Sequence, residues 1–215
     1  MDDGATATAR GRDTYRHGGL REALVEAGVE LAREGGPAAV VLRETTRRAG
    51  VSPNAAYRHF ADRDALLHAV SDTCLGFAAD RIEAEFDAHP STGDDVADAR
   101  MMLRAVGLGY IGFAREEPGL FRTAFSVPDN LQRAADPSKA GRRGRTPFQL
   151  VGIALDALLE AGVLPPDRRP NAEFLAWATV HGLGMLVIDG PLRGLDDRMI
   201  AFATERLLDM VDRGL

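Results

Sequence analysis

Apolar residues recur along the chain at the 3.6-residue spacing of helices, and polar breaks fall where helices should stop. Leu20, Ala23, Leu24, Ala27 and Leu31 mark the buried face of a first helix that Gly35-Gly36-Pro37 ends. A short second helix is predicted over about Arg43 to Ala49, closed by Gly50 as a left-handed C-cap. Ser52 then stands as an N-cap with Pro53 at the first helical position, opening a third helix over Pro53 to Phe60. On it Ala56 and Phe60, four residues apart, face a core. Asp62 opens a long helix with Leu66, Leu67, Val70, Cys74, Phe77, Ile82 and Phe86 on one stripe, running to about His89-Pro90.

After a turn over Ser91 to Asp95, the segment Val96 to Glu116 is apolar on more than one face, as a largely buried helix requires, and Pro118 stops it. A short helix around Leu120 to Ser126 follows, then a polar loop of Gly, Pro and Arg over residues 133–147. The capping box Thr146-Pro147-Phe148-Gln149 opens a helix that Gly162 closes. Helices over Asn171 to about Asp189 and Asp196 to Arg213 complete an all-α reading. Composition supports it: 58 Ala and Leu against 19 Val and Ile favour helix over strand.

A chain of 215 residues can bury roughly 70% of its unfolded surface and fold without covalent staples. Its single cysteine, Cys74, excludes an internal disulfide and a multi-cysteine zinc site, and fits a reducing compartment. The longest apolar run, Ala176 to Ile188, contains His181 and is too short to span a bilayer. Residues 2–16 show no apolar signal-peptide core. The expectation is a soluble, cytoplasmic protein with no membrane partner, preceded by a mobile tail over residues 1–16.

The net charge of −6 is unevenly spread. Residues 1–63 carry +1 and residues 64–215 carry −7, and within Leu42 to Arg63 the arginines Arg43, Arg47, Arg48, Arg58 and Arg63 outnumber Glu44 and Asp62. An acidic body with a small basic head suits a DNA reader whose contacts lie at one end. The third helix fits that reading, because Asn54, Ala55, Tyr57, Arg58 and His59 cover every direction except the core. Two short helices joined by a tight Gly turn, the second displaying polar side chains, make a helix-turn-helix, whose second helix enters the major groove.

Plainer readings exist. His59 alone could be an ordinary surface histidine, and Arg58 could pair with Asp62 at i+4. His181 could be a satisfied histidine between packed helices, with Gly182 and Gly184 permitting close approach, or it could line an effector pocket with Trp177 one turn away. Met101, Met102, Phe113, Phe121, Phe125, Phe148 and Met185 read first as core and second as lining of an adaptable apolar cavity. An enzyme is the rival class, but His17, His59, His68, His89 and His181 form no HExxH pattern, and no GxSxG elbow occurs. A helical module docking a protein partner through its basic head is the other alternative. No cofactor or metal is expected.

The stretch "TTRRAGVSPNAAYRHFADRDALL", residues 45–67, resembles the DNA-binding head of the TetR family of bacterial transcriptional regulators, over roughly residues 18–70. "WATVHGL", Trp177 to Leu183, resembles the Trp-His-Gly signature of one C-terminal subgroup of that family. The resemblance implies a three-helix head over residues 17–64 and a larger ligand-binding and dimerisation domain over 65–215. It implies a homodimer through the last two helices, operator DNA as partner and a small-molecule effector. By the same resemblance Tyr57, His59 and Arg63 contact phosphates, Thr46 sits where the second helix approaches one, and Asn54, Ala55 and Arg58 vary with operator. Arg43, Ser52 and Pro53 complete the expected DNA-facing set. The Thr45-Thr46 pair departs from the family, which usually has a more apolar pair there.

Overall fold

The computed structural model describes residues 17–215, so the expected tail over residues 1–16 lies outside the described residues. Among these residues there are nine α-helices and no strand: α1 His17–Gly35, α2 Leu42–Arg48, α3 Pro53–Ala56, α4 Arg63–Ala88, α5 Asp95–Glu116, α6 Pro118–Ala124, α7 Pro147–Glu160, α8 Ala172–Ile188 and α9 Asp197–Gly214. Single turns of 3-10 helix occur at Pro37–Ala39, Leu131–Arg133 and Pro137–Lys139.

The helix starts are fixed by side chains that satisfy backbone N–H groups with no partner inside the helix. Ser52 Oγ accepts from Ala55 N at 3.2 Å, Asp62 Oδ1 from Ala65 N at 2.8 Å and Asp196 Oδ1 from Met199 N at 2.8 Å. Thr146 and Gln149 cap reciprocally, at 3.2 and 2.9 Å, which is the capping box read from the sequence. Between α2 and α3 the chain reverses at Gly50, whose φ of 68° is left-handed. Gly50 N donates to Arg47 O and Val51 N to Thr46 O, at 3.3 and 3.0 Å, closing α2 in a Schellman motif.

Two details of this head differ from expectation. The regular part of α3 ends at Ala56, short of Phe60, because Arg58 N and His59 N bond to the carbonyls three residues back, Ala55 O and Ala56 O. That tightened turn still buries Phe60, which lies beneath the Arg21 guanidinium at 5.2 Å from its ring centroid. The Thr45-Thr46 pair is fully buried, and each hydroxyl donates within its own helix: Thr45 Oγ1 to Val41 O at 3.0 Å and Thr46 Oγ1 to Arg43 O at 2.8 Å. Two polar residues thereby serve as core residues at no cost in unsatisfied groups.

One continuous apolar core runs from Leu24 in α1 to Val211 in α9. Its axis is α4, which packs against α1, α5, α6, α7 and the Pro137–Lys139 turn. The α4–α5 crossing is close enough that a Cβ on Gly109 would sit 2.5 Å from Ile82 Cα, so only glycine fits. Cys74, on α4, is fully buried, and burial pushes its thiol pKa up to about 12. No helix among the described residues is long and apolar enough to cross a membrane.

Candidate nucleic-acid interface and ligand cavity

At the tip of the head, Ser52, Pro53, Asn54, Tyr57 and Arg58 are exposed, and Ala55 and His59 are half-buried. Tyr57 is 57% exposed, a large aromatic that no packing demand explains. Arg43 is exposed on the first turn of α2. The basic residues of this region divide into two groups. Arg47 donates to Glu44 at 2.9 and 2.5 Å, and Arg48 to Glu34 at 2.7 and 2.9 Å. Arg43 and Arg58 make no ion pair or side-chain hydrogen bond among the described residues, and Asp62 caps α4 instead of meeting Arg58.

Arg63 and Thr46 stand differently from the phosphate-facing role that the family resemblance implies. Arg63 Nε donates to Val40 O at 2.8 Å and Nη2 to Pro37 O at 2.7 Å, so its guanidinium forks onto the link between α1 and α2. It ties the first turn of α4 to the head. Thr46 is 2% exposed with its hydroxyl already donated, which leaves its side chain nothing to offer an outside partner.

The body encloses a cavity of about 560 Å³. Its walls come from α4, α5, the 127–139 segment, α7, α8 and α9. Of the nine residues suggested by sequence, Met101, Phe125, Phe148 and Trp177 line it, while Met102, Phe113, Phe121, His181 and Met185 do not. Phe121 and Phe113 are buried in the core, and Phe121 stacks on His181 at 5.6 Å. Met101 lines the cavity where Met102 does not, a difference of one position that turns a side chain by about 100° around the helix. Sequence reading missed the polar lining: His68, Ser71 and Asp72 of α4, Arg100 and Arg104 of α5, Asp129, Lys139 and Asp212.

A hydrogen-bonded chain stands at one wall. Trp177 Nε1 donates to Tyr110 Oη at 3.1 Å, and Tyr110 Oη lies 2.9 Å from His181 Nδ1. Burial pushes the tyrosine pKa up and the imidazole pKa down, so the phenol keeps its proton and the ring is neutral. With the histidine proton on Nε2 the phenol donates to Nδ1, and with the proton on Nδ1 the phenol oxygen accepts from both rings. The result ties α5 to α8 and fixes the Trp177 ring at the cavity edge.

Residues 24–70 match the family description "Bacterial regulatory proteins, tetR family", and residues 103–211, half of the chain, match "Tetracyclin repressor-like, C-terminal domain". No curated protein matches the chain. Among solved structures, a protein of unknown function from Rhodococcus sp. RHA1 is 24% identical with TM-score 0.70, covering 95% of this chain and 99% of that one. A TetR family transcription regulator from Marinobacter aquaeolei VT8 is 22% identical with TM-score 0.59, covering 88% and 94%. A TetR variant from Acinetobacter baumannii AYE in complex with minocycline is 20% identical with TM-score 0.57, also covering 88% and 94%. These likenesses agree on the fold: an N-terminal helix-turn-helix domain and a larger helical C-terminal domain. The matches to both family descriptions together place this chain in the TetR family of bacterial transcriptional regulators.

Proposed function

We propose that the protein is a cytoplasmic, homodimeric repressor that binds a pseudo-palindromic operator and is released by a small molecule held in the body cavity. The observation that carries this reading is the connection through α4. Its residues His68, Ser71, Asp72, Leu75 and Ile82 wall the cavity, and its first residue, Arg63, is forked onto the head. A ligand whose contacts favour one tilt of α4 therefore shifts the head with it. The functional division is a head over residues 17–64 and a body over 65–215.

Tyr57 and His59 are the phosphate-contacting side chains in this reading, with Arg43 adding charge, while Asn54, Ala55 and Arg58 face bases and Ser52 and Pro53 set the helix start. Arg63 holds the head to α4 and Thr46 supports α2 from inside. Dimerisation through α8 and α9 is supported by an unpartnered apolar stripe: Leu175 and Leu186 on α8, and Met199, Phe202 and Met210 on α9, are all exposed. Gly182 lies between the two leucines with open space at its Cβ position, which suits close approach of a partner helix. Trp177, His181 and Gly182 match the C-terminal subgroup signature, and the Trp177–Tyr110–His181 chain gives those side chains a structural role.

Selection of the purified protein on a random duplex library tests the reading. The expected result is an enriched inverted repeat with half-sites about one helical turn, 34–36 Å, apart or somewhat more. Tyr57→Phe combined with His59→Ala weakens binding to every duplex alike and leaves the sequence preference unchanged. No enrichment, before or after unfolding and refolding to strip bound ligand, overturns it.

A further inference from the structure

The cavity wall is apolar over most of its surface, with Leu75, Met101, Phe125, Phe148, Val151 and Trp177 among its lining residues. Its charged residues are three acids, Asp72, Asp129 and Asp212, and three bases, Arg100, Arg104 and Lys139. None of the three bases is free. Lys139 pairs with Asp129 and also donates to Arg133 O at 2.9 Å. Arg104 meets Asp209 at 3.1 Å and Glu205, and Arg100 meets Asp212. The remaining acid, Asp72, accepts from Arg133 at 3.1 Å and from Ser138 Oγ at 2.9 Å.

Such a wall discriminates by charge. A carboxylate entering the cavity would need to take Arg100 or Lys139 from Asp212 or Asp129 on the same wall, or Arg104 from the two acids, Glu205 and Asp209, that already share it, and a cation would face the converse problem. An uncharged ligand disturbs no pair. Of the buried oxygens of the wall's acids, Asp212 Oδ1 has no hydrogen-bond donor among the described residues, while Oδ2 takes Arg100; His68 and Asn130 add further polar groups to the same wall. A carboxylate accepts about four hydrogen bonds, and its terminal torsion is soft enough to present either oxygen.

We propose that the effector is an uncharged, predominantly apolar molecule carrying a hydroxyl-type donor that bonds to the Asp212 carboxylate. This rests on the reading of the cavity as the effector site. Arg100 has a second part in it: it holds the Asp212 carboxylate in place, and it becomes an anion site only when Asp212 is replaced by a neutral residue. The wall thus excludes fatty-acid-like anions through pairing and not through shape.

Isothermal titration of the full chain with 1-decanol, decanoate and decylammonium, all below their micelle-forming concentrations, tests this. Decanol is expected to bind wild type about tenfold or more tightly than either ion. In Asp212→Asn, decanol weakens several-fold while decanoate gains through the released Arg100, so the preference narrows or reverses. Decanoate or decylammonium binding wild type as tightly as decanol overturns the proposal, as does an unchanged alcohol-to-acid ratio in Asp212→Asn. The site itself is checked with Met101→Trp and, as a milder filling of the same space, Leu131→Trp. Decanol binding that survives both at full strength means the alcohol sits elsewhere and the effector-cavity reading fails. An uncharged solvatochromic dye that binds wild type and is expelled by either tryptophan, with no preference among the decyl probes, leaves the cavity reading standing and overturns only the proposal on ligand charge.

Discussion

At the recognition surface Arg43 and Arg58 stand without an ion-pair partner among the described residues, whereas around the cavity Arg100, Arg104 and Arg133 each meet a carboxylate. The same side chain does opposite work at the two ends. Unpaired at the tip, it projects a field that attracts a polyanion and that salt screens over about 8–10 Å. Paired in the body, it cancels a neighbouring acid and leaves a wall whose polarity is local. The overall charge of −6 describes neither region, and a count of arginines in sequence would assign the body more attraction for DNA than the head.

The sharpest way to break this contrast is to remove a paired cation from the body. Lys139 is 3% exposed and pairs with Asp129, so Lys139→Ala leaves that carboxylate on the cavity wall with only the more distant Arg133, 3.6 Å away, as a cationic partner. The expected loss is about 3 kcal/mol of stability by urea unfolding, at the low end for a buried pair because Asp129 is itself partly exposed. A loss under about 1 kcal/mol would mean that pairing in the body is incidental. Arg43→Ala is the complementary change at the tip. Stability should move by less than about 0.5 kcal/mol, while the log–log salt slope of operator binding falls by about one. An unchanged slope would remove Arg43 from the interface.

The smallest effect concerns His181. Burial holds its imidazole below the ordinary value of 6.5, so the unfolded chain protonates first as pH falls. The contribution of the neutral ring is complete above about pH 6.5 and is lost as pH drops from there toward the depressed folded value. Wild type should therefore lose more stability between about pH 7.5 and 5.5 than His181→Gln does. Equal losses would show that the ring is as easily charged in the fold as outside it.

Features set by neighbours along the chain were legible in the sequence. Ser52, Asp62 and the Thr146–Gln149 box each stand at the helix start they were expected to open, and Gly50 takes the left-handed turn, because such geometry depends on residues only a few positions apart. The cavity was legible only in part. Which of Met101 and Met102 faces it depends on how α5 is rotated against its neighbours, and no local pattern states that rotation. Asp129 and Lys139 reach the wall from a segment whose polar composition marks it as loop, where no periodic pattern points to a buried face. Arg63 and Thr46 looked like groups available to DNA, yet the carbonyls that occupy Arg63 lie 23 and 26 residues away in sequence, and Thr46 is sealed by packing. Tyr57, by contrast, was readable as exposed because Ala56 and Phe60 define the core face of that helix and Tyr57 lies about 100° around it from Ala56.

The buried Cys74 makes the protein convenient for spectroscopy without alteration of its native residues. A thiol held near pKa about 12 and closed off from solvent reacts slowly with maleimides and methanethiosulfonates, so the native chain is chemically silent toward them. A cysteine placed at an exposed position such as Asn54 would take a spin label as the sole reactive thiol. Dipolar spectroscopy across a dimer would then read the spacing of the two tips directly, with and without a candidate ligand.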